Sequence, residues 1–295
     1  MFHAIGEQRD GCMISAVFEP KRRFRLIAHQ EPLYNRFLHR LEKAFLDFRP
    51  IVINPYTHYC LPRPLMGLFM KLAYAQRLSR WIKEHPLEQL HATKFDLYSA
   101  ICESEHLDDR IHYLEFGVAT GKSFKWWITH IKHSQARFTG FDTFTGLPED
   151  WGIWLKGSLS TGGKVPDMKD ERCDFQVGLF QETLGTFLKN QQLDDRRLVV
   201  HLDADLYTST LFVLTTLGHK LKRGDIVVFD ELSSVRCPEQ EFRAFVDFVS
   251  SFRIGYKVIG ATGMHKQVAI EITCPVTENG ECRLSPLTSV TAVAS

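Results

Sequence analysis

The sequence has no surplus of either charge and no long apolar run. Its 295 residues carry 36 Lys and Arg against 35 Asp and Glu, a formal net charge of +1. Such a balance gives no global attraction for nucleic acid. The most apolar stretch starts at Pro64 and is interrupted by Lys71 and Arg77, short of the roughly 20 apolar residues that a membrane-spanning helix needs. We expect neither a nucleic-acid partner nor a membrane span.

Cysteine motifs and a secretory signal are also missing. The seven cysteines are scattered, with no CxxC pair and no histidine cluster at zinc spacing. The first residues, MFHAIGEQRDGC, lack a basic region followed by an apolar core. These absences favour reduced thiols and a cytoplasmic location. A bridge between Cys274 and Cys282 is the less favoured alternative.

What the sequence does contain is a regular alternation of strand-like and helical patterns from about Ile111 onward. This alternation indicates parallel strands joined by crossover helices. The last two strands are joined only by ATGMH, which is too short for a crossover helix, so we expect them to pair antiparallel. The predicted strands are IHYLEF, RFTGFD, DFQVGL, RLVVHLD, DIVVFD, YKVIG and QVAIEI. Helices are expected at about 122–133, 182–190, 209–222 and 238–252.

A mostly parallel, seven-stranded sheet with one antiparallel strand is the methyltransferase variant of the doubly wound, Rossmann-like α/β fold. Residues 91–273 are predicted to form this domain. Residues 1–90 read as a helical extension, with LYNRFLHRLEKAFLDF and an amphipathic stretch at 65–82. The extension would cap the site or contact a second copy in a homo-oligomer, and a position on a membrane surface is less favoured. Residues 274–295 are expected to be a flexible tail.

The first strand ends in LEFGVATGKS, a glycine turn that leads into a helix. Glycine serves where the backbone takes a positive φ or a ligand approaches closely, and the helix N-terminus offers free N–H groups to an anion. The turn alone is a weak signal, because such turns are often only structural. The residues that it offers to a cofactor are Glu115, Gly117, Ala119, Gly121 and Ser123.

Two nucleotide-binding patterns come close to this turn without matching it. A phosphate loop, GxxxxGK[ST], requires glycine where Phe116 stands. The dinucleotide pattern GxGxxG fails because Ala119 replaces its second glycine. A P-loop-like nucleotide-dependent enzyme remains an alternative, and so does a non-catalytic binding protein that keeps the fold.

The second strand ends in FTGFDTFTGLPEDW, which places Asp142 and Thr143 at the next strand end. Asp142 follows Gly121 by 21 positions, about where a strand-end acid hydrogen-bonds ribose hydroxyls. A carboxylate that merely caps a turn is the alternative. Together with the glycine turn, this acid predicts S-adenosylmethionine as the cofactor, with its methionyl carboxylate at the helix N-terminus.

Two further strands, in VVHLDADLYTST and GDIVVFDEL, end in carboxylates. Ligands of open α/β sheets bind at this edge. Converging carboxylates repel one another unless a cation or proton intervenes, and oxygen ligands suit Mg²⁺. The alternative is that Asp205 caps the following helix and Glu231 is solvated. The strand-end acids are Asp203, Asp205, Asp230 and Glu231.

A long loop at 147–173 separates the second and third strands. Loops of this length inside a compact domain are often functional. We expect the loop to close over the site, with Trp151 and Trp154 as apolar walls, or these tryptophans to be core or partner contacts. His201 is interpreted as packed within the sheet, and His265 as an exposed loop residue.

The series LEFGVATGKS, GFDTFTGLPEDW, GLFQETL, HLDADLYTST, GDIVVFDE and QVAIEI resembles the macrocin O-methyltransferase-like group, over about residues 111–272. The resemblance implies O-methylation of a hydroxyl on a small-molecule acceptor, typically a sugar of a natural product, with Mg²⁺ at the site. It implies Asp203 as a candidate base. The implied cofactor contacts are Glu115, Gly117 and Asp142, and the implied metal ligands are Asp203, Asp230 and Glu231.

The sequence departs from the best-understood members of that group at two positions. Glu231 stands where they carry a second aspartate. Leu206 stands where some members use a histidine. The resemblance also leaves out the first 90 residues, so it does not indicate which acceptor is used.

Overall fold

The computed structural model describes residues 63–275, apart from positions 192, 194, 235, 236 and 238. Among these residues no helix is both long and apolar enough to cross a membrane. In chain order the elements are α1 (Arg63–Glu84), α2 (Lys94–Ser104), β1 (Ile111–Phe116), α3 (Lys122–His130), β2 (Arg137–Asp142), β3 (Cys173–Val177), α4 (Phe180–Asn190), β4 (Arg197–Leu202), α5 (Tyr207–Leu217), β5 (Ile226–Phe229), α6 (Glu241–Phe252), β6 (Gly255–Ala261), a 3₁₀ turn (Gly263–His265) and β7 (Val268–Cys274).

The seven strands form one sheet in the order β3-β2-β1-β4-β5-β7-β6. Strands β1 to β5 pair in parallel, whereas β7 runs antiparallel to both β5 and β6. The predicted class I methyltransferase fold, with its antiparallel last pair, is confirmed. The strand order reverses direction between β1 and β4, and in open α/β sheets this point is where ligands bind.

Apolar residues cover both faces of the sheet. In β1 all six residues are buried, and their side chains alternate between two cores. Leu114 and Phe116 join the core beneath α1, α4, α5 and α6. Ile111 and Tyr113 join the core beneath α2 and α3. A parallel strand covered on both faces is mostly apolar, and the two polar residues of β1 are hydrogen-bonded: His112 to Thr139 and Glu115 to Tyr113.

The helix expected at 65–82 is present as α1, and its second half is docked on the domain. The ring of Trp81 is fully buried, and it packs edge-on against Phe242 and Phe245 of α6. Its indole N–H donates to the hydroxyl of Tyr256 at 2.9 Å. The LYNRFLHRLEKAFLDF stretch and the 274–295 tail lie largely outside the described residues, so the division of the chain at residue 90 stays a prediction.

Several predicted details are corrected at the ends of the elements. Helix α5 stops at Leu217, five residues before the predicted end, because the chain turns there toward β5, with the Lys220 N–H donating to the Leu217 carbonyl at 2.7 Å. Helix α3 stops at His130 rather than at 133.

Cys274 is disulfide-bonded, contrary to the favoured free thiol. Since disulfides are rare in the cytosol, the cysteines no longer support a cytoplasmic location.

Candidate active site

A cavity of about 970 Å³ opens at the carboxyl ends of β1, β2 and β4. Its size is typical of small-molecule sites. One side, here named the glycine-turn wall, consists of Gly117, Ala119, Asp142 and Thr143. A second group of lining residues, named the acid wall, consists of Asp203, Asp205 and Glu231. The long loop after β2 supplies most of the rest.

The glycine turn brings the ends of β1 and β4 into direct contact. Gly117 has a φ of +93°, and a Cβ there would lie well inside van der Waals contact of the Asp203 carbonyl oxygen. Gly121 has a φ of +76° and begins α3. A Cβ on it would lie 2.7 Å from the terminal methyl of Met168. Both positions therefore require glycine, for close approach as well as for conformation.

Asp142 stabilises the glycine turn from the neighbouring strand. Its Oδ2 accepts the N–H groups of Val118 at 2.8 Å and Ala119 at 2.7 Å, and its Oδ1 accepts that of Phe144 at 2.7 Å. Ala119 has a φ of +47°, which is uncommon for a residue other than glycine. The alternative that Asp142 caps a turn is thus realised, but the carboxylate also faces the cavity and keeps lone pairs for a ligand.

Three of the predicted cofactor contacts do not line the cavity. Glu115 and Ser123 are buried, with exposed fractions of 1% and 5%, and Gly121 is covered by the loop after β2. The carboxylate of Glu115 instead accepts the hydroxyl of Tyr113, two residues earlier on the same face of β1. Glu115 therefore lies behind the edge of the sheet and is not part of the cavity wall.

Behind the acid wall, His201 lies between two buried carboxylates. Its Nδ1 is 2.8 Å from the Tyr113 hydroxyl and 3.5 Å from Glu115 Oε2. Its Nε2 is 3.1 Å from the Tyr98 hydroxyl and 3.7 Å from Asp230 Oδ1. Burial lowers the pKa of the imidazole, but the two carboxylates outweigh it and raise that pKa to about 10. His201 is packed as expected, and the two carboxylates beside it favour its protonated form.

The hydroxyls of Tyr98 and Tyr113 connect His201 to the two carboxylates through hydrogen bonds. An imidazolium donates from both ring nitrogens, so each tyrosine oxygen accepts from His201. Tyr113 then donates to Glu115, and Tyr98 donates to Asp230 Oδ1 at 3.4 Å. A complete donor and acceptor chain thus joins β1, β4 and β5 below the cavity floor. Satisfied buried networks of this kind make a site rigid.

Two carboxyl groups of the acid wall, those of Asp203 and Asp205, hold protons more readily than free ones. Burial raises the pKa of Asp203 well above its ordinary value, and the nearby Asp230 raises it further. Burial, Glu231 and Asp230 raise the pKa of Asp205 to about 7. Asp205 also has a φ of +58°, a strained conformation for a residue with a side chain. Perturbed carboxyls at a cavity are candidates for acid–base chemistry.

The predicted magnesium ligands do not fit a metal site. Asp230 is 6% exposed and does not reach the cavity, and its Oδ1 is 3.1 Å from the ammonium of Lys94. Glu231 is paired with the ammonium of Lys266 at 2.7 Å. In the described part of the chain, no group of three or more His, Cys, Asp or Glu side chains is placed to hold a metal ion. Of the three predicted metal ligands, only Asp203 and Glu231 line the cavity.

The loop after β2 is folded against the cavity. Trp151 and Trp154 exchange backbone hydrogen bonds of 2.8 Å in both directions, which closes a tight turn. Both tryptophans line the cavity, as expected from the sequence. The base of the loop is held by the Leu147 N–H, which donates to the Ser158 carbonyl at 2.9 Å. Ile153, at the tip, is 72% exposed.

Sequence reasoning missed the basic partners of the acids. Lys94 begins α2 and Lys266 precedes β7, far along the chain from Asp230 and Glu231. No spacing in the sequence indicates these pairs. Glu241, at the start of α6, was also missed: it is 1% exposed, and its Oε2 accepts the Glu231 N–H at 3.0 Å. The expectation for His265 was wrong, because its side chain is 8% exposed and not a solvated loop residue.

A model of a protein family matches the part of the chain that builds the cavity. Residues 114–232, from the middle of β1 to the end of the acid wall, match the family described as "Methyltransferase domain". The match covers less than half of the chain, and it includes both walls of the cavity. No curated protein matches the chain.

Several of the solved structures that this chain is similar to are methyltransferases. "CalS11, Calicheamicin Methyltransferase" is 20% identical, with a TM-score of 0.47, and covers 87% of this chain and 99% of that one. "O-methyltransferase NovP" is 21% identical, with a TM-score of 0.46, and covers 60% and 79%. An O-methyltransferase from Bacillus cereus "in complex SAH" is 13% identical, with a TM-score of 0.42, and covers 78% and 97%. At these identities and TM-scores, no function is carried over from these proteins to this chain.

Proposed function

We propose that this chain transfers a methyl group from S-adenosylmethionine to a hydroxyl of a small-molecule acceptor, such as a sugar or another natural-product-like compound. The observation that carries the proposal is the cavity itself, which is lined by both the glycine-turn wall and the acid wall. One wall suits a nucleoside with a charged amino-acid tail. The other offers a carboxylate that can take up a proton.

The cofactor would lie along the glycine-turn wall. The carboxylate of Asp142 has lone pairs left for the ribose hydroxyls, although it already accepts three N–H groups. The methionyl carboxylate would lie against the turn before α3, where Ala119 and Thr120 line the cavity. A side chain at position 117 would collide with the backbone of Asp203, so glycine there keeps the end of β1 against the end of β4, beside the place proposed for the cofactor.

Methyl transfer needs the acceptor oxygen in line behind the methyl group. The oxygen forms a bond to the methyl carbon, and the sulfur–carbon bond breaks to leave S-adenosylhomocysteine. The acceptor proton goes to a carboxylate, for which Asp203 is the proposed base. Burial and Asp230 raise the pKa of Asp203, which makes its ionised form a stronger base, and Asp203 acts as the base from that ionised form. Trp151 and Trp154 would exclude water and stack against the acceptor.

The experiment that tests this proposal uses labelled S-adenosylmethionine. The full-length enzyme is incubated with a metabolite extract, and products are sought by mass spectrometry as a label-dependent methyl mass shift. We expect a methylated hydroxyl compound with the wild type, and turnover lowered by about 10²–10⁴-fold in Asp203→Asn. Full activity in that variant would remove Asp203 as the base. Absence of any methylated product, with ATP bound instead, would favour the nucleotide-dependent alternative.

A further inference from the structure

Two lysines from separate parts of the chain reach the carboxylates at the end of β5. The ammonium of Lys94, at the start of α2, is 3.1 Å from Asp230 Oδ1. The ammonium of Lys266, before β7, is 2.7 Å from Glu231 Oε1. These are two of the three strand-end acids to which the sequence resemblance gives a metal ion. In the structure each of them already has its own cation.

The pair of Lys94 and Asp230 is the more buried of the two. The side chain of Lys94 is 27% exposed and that of Asp230 is 8% exposed. The pair of Lys266 and Glu231 is more open, at 49% and 18%. Exposed ion pairs contribute little, because water screens them, whereas a buried charge that loses its partner is costly. Lys94 is therefore the cation on which the arrangement depends most.

The remaining contacts of Asp230 leave little room for an ion. Its Oδ1 also accepts the Tyr98 hydroxyl at 3.4 Å and lies 3.7 Å from the imidazole of His201. Its Oδ2 accepts the amide of Gln267 at 3.5 Å. A divalent ion bound by this carboxylate would have to displace Lys94 and break a buried network. Asp203 and Glu231 would then be its only other acidic ligands from the predicted set.

We propose that Lys94 and Lys266 take the place of the divalent cation at this edge, so that methyl transfer by this chain requires no metal ion. This inference rests on the proposed function. Lys94 acts as a positioning residue: it holds the carboxylate of Asp230, which lies beside Asp203. With no metal to polarise the acceptor hydroxyl, its proton passes directly to Asp203.

Metal binding can be measured without knowing the acceptor. The full-length protein, stripped with EDTA, is titrated with Mn²⁺ and followed by electron paramagnetic resonance, with and without S-adenosylmethionine. We expect no stoichiometric Mn²⁺ binding in either condition, and a methyl-transfer rate in EDTA within about twofold of that in Mg²⁺. Stoichiometric Mn²⁺ binding that Glu231→Gln abolishes would overturn the inference, as would a rate that collapses in EDTA and returns with Mg²⁺.

Substitution of Lys94 tests the positive half of the inference. Lys94→Met should lower kcat by about tenfold or more and leave the S-adenosylmethionine Kd within about threefold, while Lys94→Arg should keep most of the activity. Lys125→Met, at an exposed position of α3, is the matched control. An unchanged kcat in Lys94→Met would overturn the inference.

The Mn²⁺ titration decides the matter if Lys94→Met does not fold. It also separates this inference from the proposed function. A protein that binds neither S-adenosylmethionine nor Mn²⁺ contradicts the function and not the missing metal site. A protein that binds both supports the function and refutes the inference.

Discussion

The two walls of the cavity are built in different ways. The glycine-turn wall is made from backbone: one carboxylate, Asp142, accepts three N–H groups, and Gly117 lets β1 touch β4. The acid wall is made from charged side chains, and its cations, Lys94 and Lys266, come from distant segments. A wall made of backbone tolerates almost no change in shape. A wall made of charges responds to pH and to the removal of one partner.

The largest expected effect comes from adding a single methyl group to the glycine-turn wall. In Gly117→Ala the new Cβ would overlap the Asp203 carbonyl oxygen at a φ of +93°. We expect a loss of about 4 kcal/mol or more in the free energy of unfolding, together with loss of S-adenosylmethionine binding. Denaturant unfolding and calorimetry measure the two effects.

Gly157→Ala is the matched control for that substitution. Gly157 has a similar φ of +85°, but nothing lies within 4 Å of the added Cβ. It should lose only the conformational cost of about 1–2 kcal/mol. Equal losses in the two variants would contradict the claim that close approach, in addition to conformation, requires glycine at position 117.

The difference between the walls also explains what could be predicted. The strands, the antiparallel pair and the glycine turn are local patterns, because periodicity and turn chemistry act over a few residues. Asp142 is found because it follows the next strand at the expected distance. The pairing of Lys94 with Asp230 spans 136 positions and leaves no periodic trace. The predicted magnesium ligands do not fit a metal site for this reason: the sequence shows the carboxylates at the strand ends but not that Lys94 and Lys266 pair with two of them.

A second substitution distinguishes the walls by what each one loses. Asp142→Asn replaces one accepting oxygen by an NH₂ group that faces backbone N–H donors. We expect S-adenosylmethionine affinity to fall by about 10–100-fold, because buried donors lose their acceptor. Asp203→Asn, on the acid wall, should leave that affinity within about threefold and lower turnover instead. Calorimetry on both variants checks this crossed pattern, and equal losses of affinity would contradict it.

The smallest expected effect is a pH dependence of stability that belongs to the acid wall. The pKa of Asp205 is raised to about 7 by burial and by Glu231 and Asp230, so the folded state keeps a proton that the unfolded chain releases near pH 4. The free energy of unfolding should therefore fall as the pH rises from about 4 to about 7, in part because Asp205 keeps its proton in the folded state over this range.

Asp205→Asn isolates the contribution of that one group. The buried Asp225, with its pKa raised to about 6, titrates in the same window and remains in the variant. Urea unfolding between pH 4 and 8 should show a shallower slope for Asp205→Asn than for the wild type. Identical slopes would mean that Asp205 does not hold a proton in the folded protein. Asparagine also tolerates the φ of +58°, so the substitution adds little strain.

The central claim is that the cavity binds S-adenosylmethionine between the two walls. Isothermal titration calorimetry of the full-length protein with S-adenosylmethionine, and separately with ATP, tests it most directly. The account predicts binding of one S-adenosylmethionine per chain, weakened in Asp142→Asn, and no heat with ATP. Binding of ATP alone, or of neither compound, would contradict it.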